Sequence, residues 1–181
     1  MGELEGKVAI VTGAGRLRGI GRAAAVALAR LGADVMITGT GRSPDTFPDD
    51  EKAVDWKDVE SVARQIRAEG RCALPLVFDV TDADGVAAAF ARCISELGRV
   101  DILVNNAAIA RGEDRTPVTE LEENLYQRVV DVKLRGTFLC TREAVRQMYA
   151  QNEGGKIVNI ASIAGKRGSA NTLAYNAANF G

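Results

Sequence analysis

The chain has 181 residues, 46% of them apolar and 26% charged, with a formal net charge of −1: enough for one domain with a substantial core, and no surface suited to a polyanion. It contains no histidine, which excludes Ser-His-Asp hydrolysis and the common histidine-based zinc sites and leaves acid–base work to Tyr, Lys, Asp, Glu or Cys. No apolar run approaches a membrane span, Met1-Gly2-Glu3-Leu4-Glu5 lacks the features of a signal peptide, and Cys72, Cys93 and Cys140 have no metal spacing, so reduced thiols in a cytoplasmic protein are expected.

Strand-like apolar runs alternate with helical patterns along the whole chain, the signature of an α/β fold with a parallel sheet covered by helices. The first strand is expected at about 7–12. A helix of about 19–31 follows, with Ala23, Ala24, Ala27, Leu28 and Leu31 on its inner face and Gly32 as its stop. A second strand runs from Asp34 to Thr38. Residues 39–54 are rich in turn formers and long for a connection between strand and helix, which marks them as a functional insertion or a mobile loop. The next helix covers about 56–69, with Val59, Val62, Ala63 and Ile66 inward. A third strand, Cys72 to Val80, contains Pro75; a proline cannot donate to the ladder, so this strand belongs at a sheet edge.

Thr81-Asp82-Ala83-Asp84 resembles a capping box for a helix of about 82–97. The fourth strand is Val100 to Asn105. Thr119-Glu120-Leu121-Glu122 is a second capping-box candidate, opening a long helix of about 120–150. The fifth strand is Lys156 to Ala161, and a last helix begins near Leu173 or Ala174.

Two motifs carry chemistry. The first strand opens into Gly13-Ala14-Gly15-Arg16-Leu17-Arg18-Gly19-Ile20-Gly21. Glycines at such a turn let the backbone approach a pyrophosphate and let helix and strand pack closely, while the helix N-terminus offers free N–H groups and its positive dipole end. A plain turn before an alanine-rich helix is the simpler alternative, but the position after the first strand favours phosphate binding. Far downstream, Ser162 precedes Tyr175, a pairing suited to hydride chemistry on a carbonyl.

With Thr12-Gly13, Gly19-Ile20-Gly21, Asp79-Val80, the run Asn105-Asn106-Ala107-Ala108, Ser162 and Tyr175 in this order, the chain resembles the short-chain dehydrogenase/reductase family over essentially its whole length. Two departures stand out in these motifs: the glycine loop carries two extra positions, and Ala108 replaces a glycine. The resemblance implies a Rossmann-like doubly wound sheet with helices on both faces, in which residues 1–181 form a single dinucleotide-binding domain. It implies further strands and a substrate-covering segment beyond Gly181. The chain therefore reads as an N-terminal fragment in which the adenosine half of the cofactor site is complete, the fifth strand is an open edge, and turnover is weak.

The resemblance further implies a cofactor site made from Gly13, Gly15, Arg16, Arg18, Gly19, Ile20, Gly21, Arg42, Asp79, Val80, Asn106 and Ala107. An acid ending the second strand would hold the ribose of NAD and repel a 2′-phosphate. Here the strand ends Thr38-Gly39-Thr40-Gly41-Arg42, and Arg16, Arg18 and Arg42 offer forked donors, so NADP(H) is favoured over NAD(H), against the plain alternative of three solvated arginines.

In the family a lysine one helical turn after the tyrosine makes the phenol acidic, and an asparagine in the long preceding helix binds a water linked to that lysine. The corresponding residues here are Asn179 and Lys133. Two readings stand: two independent losses, or a reciprocal swap in which the Lys133 ammonium enters the same polar cluster and Asn179 takes the water-binding role.

The functional expectation is an oxidoreductase interconverting a small-molecule carbonyl and secondary alcohol, with Tyr175 as acid/base, Ser162 holding the substrate oxygen, and Lys133 and Asn179 completing the catalytic set. No metal is involved. The alternative is a non-catalytic nucleotide-binding or assembly protein on the same scaffold. Nucleic-acid binding is disfavoured by charge. A homo-oligomer through the helix of 120–150 is also implied, with Leu125, Val129, Val132, Phe138 and Val145 either at that interface or in the core.

Overall fold

The computed structural model describes residues 2–181. Five parallel strands, β1 (Val8–Val11), β2 (Asp34–Gly39), β3 (Ala73–Val77), β4 (Ile102–Asn105) and β5 (Lys156–Asn159), form one sheet in the order β3-β2-β1-β4-β5. The order reverses direction at β1, whose neighbours are β2 and β4. A crevice opens at such a switch point, beyond the carboxyl ends of the strands.

The helices are α1 (Ile20–Arg30), α2 (Asp49–Ala53), α3 (Val59–Ala68), α4 (Ala83–Leu97), α5 (Glu123–Val130), α6 (Gly136–Ala150) and α7 (Leu173–Phe180). They cover both faces of the sheet. Alternating strand residues therefore enter two cores: Val8, Ile10, Met36 and Leu103 pack with Phe90, Cys93 and Cys140, while Ala9, Val11, Val35 and Ile37 pack with Val62, Ala63 and Ile66. Burial on both faces explains why β1 reads as an unbroken apolar run. Pro75 sits on edge strand β3, opposite Ile37, as its missing donor requires. Strand β5 forms the other edge, with Val158 at 46% exposure.

Several local expectations change. Helix α1 buries Gly21, Ala25 and Ala29, not the stripe through Ala23 and Ala27, and Leu31 is 42% exposed. Gly21, Ala25 and Ala29 are small enough to let the helix approach the sheet closely, while the bulkier Val26 and Leu28 are half-buried. The inward residues of α3 are as expected. The cap of α4 is Asp82, which accepts from the Asp84 N–H; Thr81 instead bonds the Asp79 carboxylate. The second capping box does not form, and α5 starts at Glu123 without a side-chain cap. The long helix is interrupted by one π-helical turn, Asp131–Arg135, between α5 and α6. A widened turn of this kind often marks a functional site, and Lys133 lies in it.

Residues 39–54 contain a 3₁₀ turn, Pro44–Thr46, and α2, and they lie against the glycine loop. The apolar positions of the long helix divide: Val129 and Val132 are buried, Leu125 and Val145 are half-buried, and Phe138 is 58% exposed. No helix among the described residues is long and apolar enough to cross a membrane.

Candidate active site

The glycine loop is fixed by its neighbours on both sides. Gly13 has φ +65°, and a Cβ there would stand 2.7 Å from the Ala107 Cα, so only glycine allows the loop to meet the end of β4. Thr12 Oγ1 accepts from the Asn106 and Ala107 N–H groups at 3.0 and 3.1 Å. The Asn106 amide returns donors to the Thr12 and Gly13 carbonyls. From the other side Thr38 accepts from the Gly13 and Ala14 N–H groups. These bonds hold the loop open, with the N-terminus of α1 facing the crevice.

The insertion then grips the loop's extra residues. Glu51, 2% exposed, accepts from the Leu17 N–H at 2.9 Å and from the Arg42 guanidinium at 2.9 Å. Trp56 Nε1 donates to the Gly15 carbonyl at 2.6 Å. Asp58 accepts from the Arg42 backbone N–H and guanidinium at 3.3 and 3.4 Å. Arg22 donates to the Leu17 carbonyl at 2.8 Å with its guanidinium 5.7 Å from the Trp56 ring centroid. The longer loop and the longer connection are thus partners, each supplying polar groups the other needs. Sequence reading placed the only tryptophan at the start of the helix of about 56–69, whereas α3 begins at Val59 and leaves Trp56 in the connection. It did not single out Glu51, Trp56 or Asp58.

This arrangement corrects one premise. Of the three arginines read as available to a phosphate, Arg18 pairs with Asp50 at 2.7 Å and Arg42 is held between Glu51 and Asp58; Arg16 is exposed, with no ion pair among the described residues.

Further along the crevice, Asp79 accepts from the Thr81 N–H and hydroxyl and from Arg128 at 2.7 Å. Burial works to raise its carboxyl, but these donors outweigh burial and hold it below the ordinary range.

At the far end, Lys133 reaches from the π turn to the Ile160 carbonyl, and burial pushes its ammonium below the ordinary lysine value. Tyr175 lies half-buried on α7 with the Arg115 guanidinium 3.9 Å from its ring centroid. Arg115 in turn pairs with buried Asp114 at 3.3 Å. Sequence reading did not pick out this cation–π contact. Ser162 Oγ accepts from the Ala164 N–H at 3.2 Å and caps a short 3₁₀ turn, Ile163–Gly165. A Cβ at Gly165 would collide with the Asn179 backbone, so this turn packs directly on α7. Asn179 donates to the Tyr175 carbonyl at 2.8 Å, and its buried Oδ1 has no hydrogen-bond partner among the described residues.

One cavity of about 840 Å³ joins the two ends. Gly13, Gly15, Arg16, Arg18, Gly19, Ile20 and Arg42 line one part, Asp79, Val80, Asn106 and Ala107 the middle, and Lys133 and Tyr175 the far wall. Gly21, Ser162 and Asn179 are not among the lining residues. A groove of this size, with a glycine-lined helix N-terminus at one end and a phenol at the other, fits an elongated dinucleotide. No cluster of three or more metal-ligating side chains occurs among the described residues.

The strand order and this groove define a Rossmann-like fold. The short chain dehydrogenase family model matches residues 7–181, and the chain belongs to that family. It is 41% identical over 175 residues to cis-4-hydroxycyclohexanecarboxylate dehydrogenase of Sinomonas cyclohexanicum, covering 97% of this chain and 62% of the relative. It is 35% identical over 181 residues to a 3-oxoacyl-[acyl-carrier-protein] reductase of Synechocystis, covering 100% of this chain and 66% of that protein. The crystal structure of carveol dehydrogenase from Mycobacterium avium in complex with NAD superposes with a TM-score of 0.87 at 29% identity, covering 100% of this chain and 63% of that one. The chain thus spans roughly six-tenths of the length of these relatives.

Proposed function

We propose that the protein containing this chain is a cytoplasmic oxidoreductase that interconverts a carbonyl and a secondary alcohol on a nicotinamide dinucleotide. The observation that carries this reading is the continuity of the groove from the glycine loop to Lys133 and Tyr175. When bound, the nicotinamide supplies or accepts the hydride. The Tyr175 hydroxyl gives its proton to the substrate oxygen as hydride arrives at the carbonyl carbon, and takes it back in the reverse direction. The Ser162 hydroxyl, which accepts from Ala164 and keeps its own hydrogen free to donate, orients the same oxygen.

Lys133 is the cation of the site in this reading. Its ammonium is anchored on the Ile160 carbonyl at the end of β5 and lines the groove, whereas the Asn179 amide is directed at its own helix. This favours the reciprocal swap over two independent losses. Residues 1–181 are read as the dinucleotide-binding part of a longer domain. A homo-oligomer through the α5–α6 helix belongs to the same proposal, supported by Phe138 and Tyr149 at 58% and 81% exposure.

The test is a Tyr175→Phe variant of the full-length protein, assayed by nicotinamide absorbance against a panel of ketones and alcohols. Turnover falls at least about a hundredfold while cofactor still binds. Cofactor binding with no consumption by the parent protein, across the whole panel, would favour the non-catalytic alternative.

A further inference from the structure

Asp58 combines three features, besides its bonds to Arg42, at one place on the groove wall. It is the N-cap of α3, a position where aspartate normally accepts from the first turn of its own helix, yet its side chain makes no such bond. Its backbone sits at φ +49°, ψ −130°, a region that a non-glycine residue occupies only under strain, and it is 8% exposed. Strain, burial and a forgone cap all have one result: the carboxylate lies in the wall of the groove, against the second glycine of the loop. A Cβ at Gly15 would coincide with it, and one at Gly39, the last residue of β2, would stand 3.6 Å from it.

That location is the loop end of the groove, where β2 stops. β2 itself supplies no acid there, since it runs into Gly39-Thr40-Gly41-Arg42. We infer that Asp58, delivered by the insertion from the start of α3, reads the adenosine ribose and makes the site selective for NAD(H) over NADP(H). The inference rests on the dinucleotide reading of the groove and adds the residue that sets which dinucleotide it takes.

The charge count agrees. Arg42 is the guanidinium nearest this carboxylate, and it faces two acids, Glu51 at 2.9 Å and Asp58 at 3.4 Å, so the trio carries a net charge of −1. A ribose diol can donate to a carboxylate. A 2′-phosphate placed there meets like charge, with the neighbouring half-buried Arg42 guanidinium already engaged. Arg16 and Arg18 line the same groove and remain as competing attractions for phosphate, but both are exposed and solvated, and Arg18 also pairs with Asp50.

The only tryptophan, Trp56, bonds the Gly15 carbonyl beside this site and provides a readout independent of turnover. Quenching of its emission, with energy transfer to the reduced nicotinamide, is titrated separately with NADH and NADPH. The parent protein is expected to bind NADH at least about tenfold more tightly than NADPH, and Asp58→Asn to bring that ratio to about one, its fold checked by circular dichroism. Asp58→Ser, which releases the Arg42 guanidinium, is expected to favour NADPH. Equal or tighter NADPH binding by the parent overturns the inference and leaves the dinucleotide reading standing. An unchanged ratio in a folded Asp58→Asn variant does the same. If neither nucleotide binds the parent, both the inference and the functional reading fall. Should the variants fail to fold, the parent ratio decides alone.

Discussion

At the glycine-loop end of the groove, side chains from the insertion and from the approach to α3 are buried and bonded to the loop they enclose. Glu51 and Asp58 hold Arg42, and Trp56 and Glu51 hold the backbone at Gly15 and Leu17. At the Tyr175 end, Ser162 and Asn179 mainly satisfy their own local turns, Lys133 leans on a single carbonyl, and the flanking Ile163 and Leu173 are 68% and 45% exposed. Under the proposed function the contrast separates two tasks. A binding end is made rigid in advance, so that little ordering remains to be done when the nucleotide arrives. A reacting end needs a few polar groups whose bonding capacity is not consumed within the fold.

Breaking the latch tests the first half of this contrast and carries the largest expected stability effect. Glu51→Ala leaves the Leu17 N–H unpaired and removes the closest partner of a largely buried guanidinium. The expected cost is about 3 kcal/mol, seen in thermal unfolding as a Tm lower by roughly 10 °C. Nucleotide affinity falls with it, whereas a change confined to the Tyr175 end leaves affinity intact.

A smaller effect concerns the opposite rim of the sheet, away from the groove. Buried Asp101 accepts from the Val8 N–H at 2.9 Å, from Arg99 at 2.6 and 2.7 Å and from Lys7 at 3.2 Å. Burial raises its carboxyl, but Arg99, the Val8 N–H and Lys7 prevail and hold it below the usual 3.8. Because the folded value is depressed, the stabilisation is complete above pH 3.8 and is lost as pH falls through the folded value. Asp101→Asn is expected to cost about 2 kcal/mol at neutral pH and to flatten the acid limb of the stability curve. The nucleotide preference does not change.

Asn179→Ala sharpens the other half. Its amide bonds its own helix, so turnover is expected to drop by less than about tenfold, the range of one neutral hydrogen bond. The smallest effect is chemical. Cys93 and Cys140 are buried and pushed up to about 12, while Cys72 is exposed. A thiol reagent at neutral pH labels Cys72 alone, and nucleotide binding is unaffected.

How much of this was legible in the sequence follows from the range of the interactions involved. The strands were readable because each is a short apolar run bounded by turn residues, and Pro75 placed β3 at an edge by its missing donor. The groove was readable because Gly13, Asn106 and Tyr175 belong to motifs tied to particular strand ends. The inner face of α1 was misjudged because Ala23, Ala24, Ala25, Ala27 and Ala29 fall on every side of the helix and blur its period. The π turn at Lys133 gave no signal beyond the lysine itself. The grip of the insertion on the loop could not be read at all. It depends on contacts such as Trp56 to Gly15 and Glu51 to Leu17, between segments whose meeting is decided by the packing of α3 on β2. Of the arginines that had favoured NADP(H), only Arg42 is taken up in this way, by Glu51 and Asp58.

The proposed chemistry depends on Lys133 carrying the positive charge that the α7 position of Asn179 lacks. The most direct measurement is steady-state turnover of a full-length Lys133→Ala variant, with and without added small alkylammonium ions. Turnover is predicted to fall at least about a hundredfold with nucleotide affinity largely kept, and to recover in part as the ammonium concentration rises. A Lys133→Ala enzyme that turns over like its parent would contradict it.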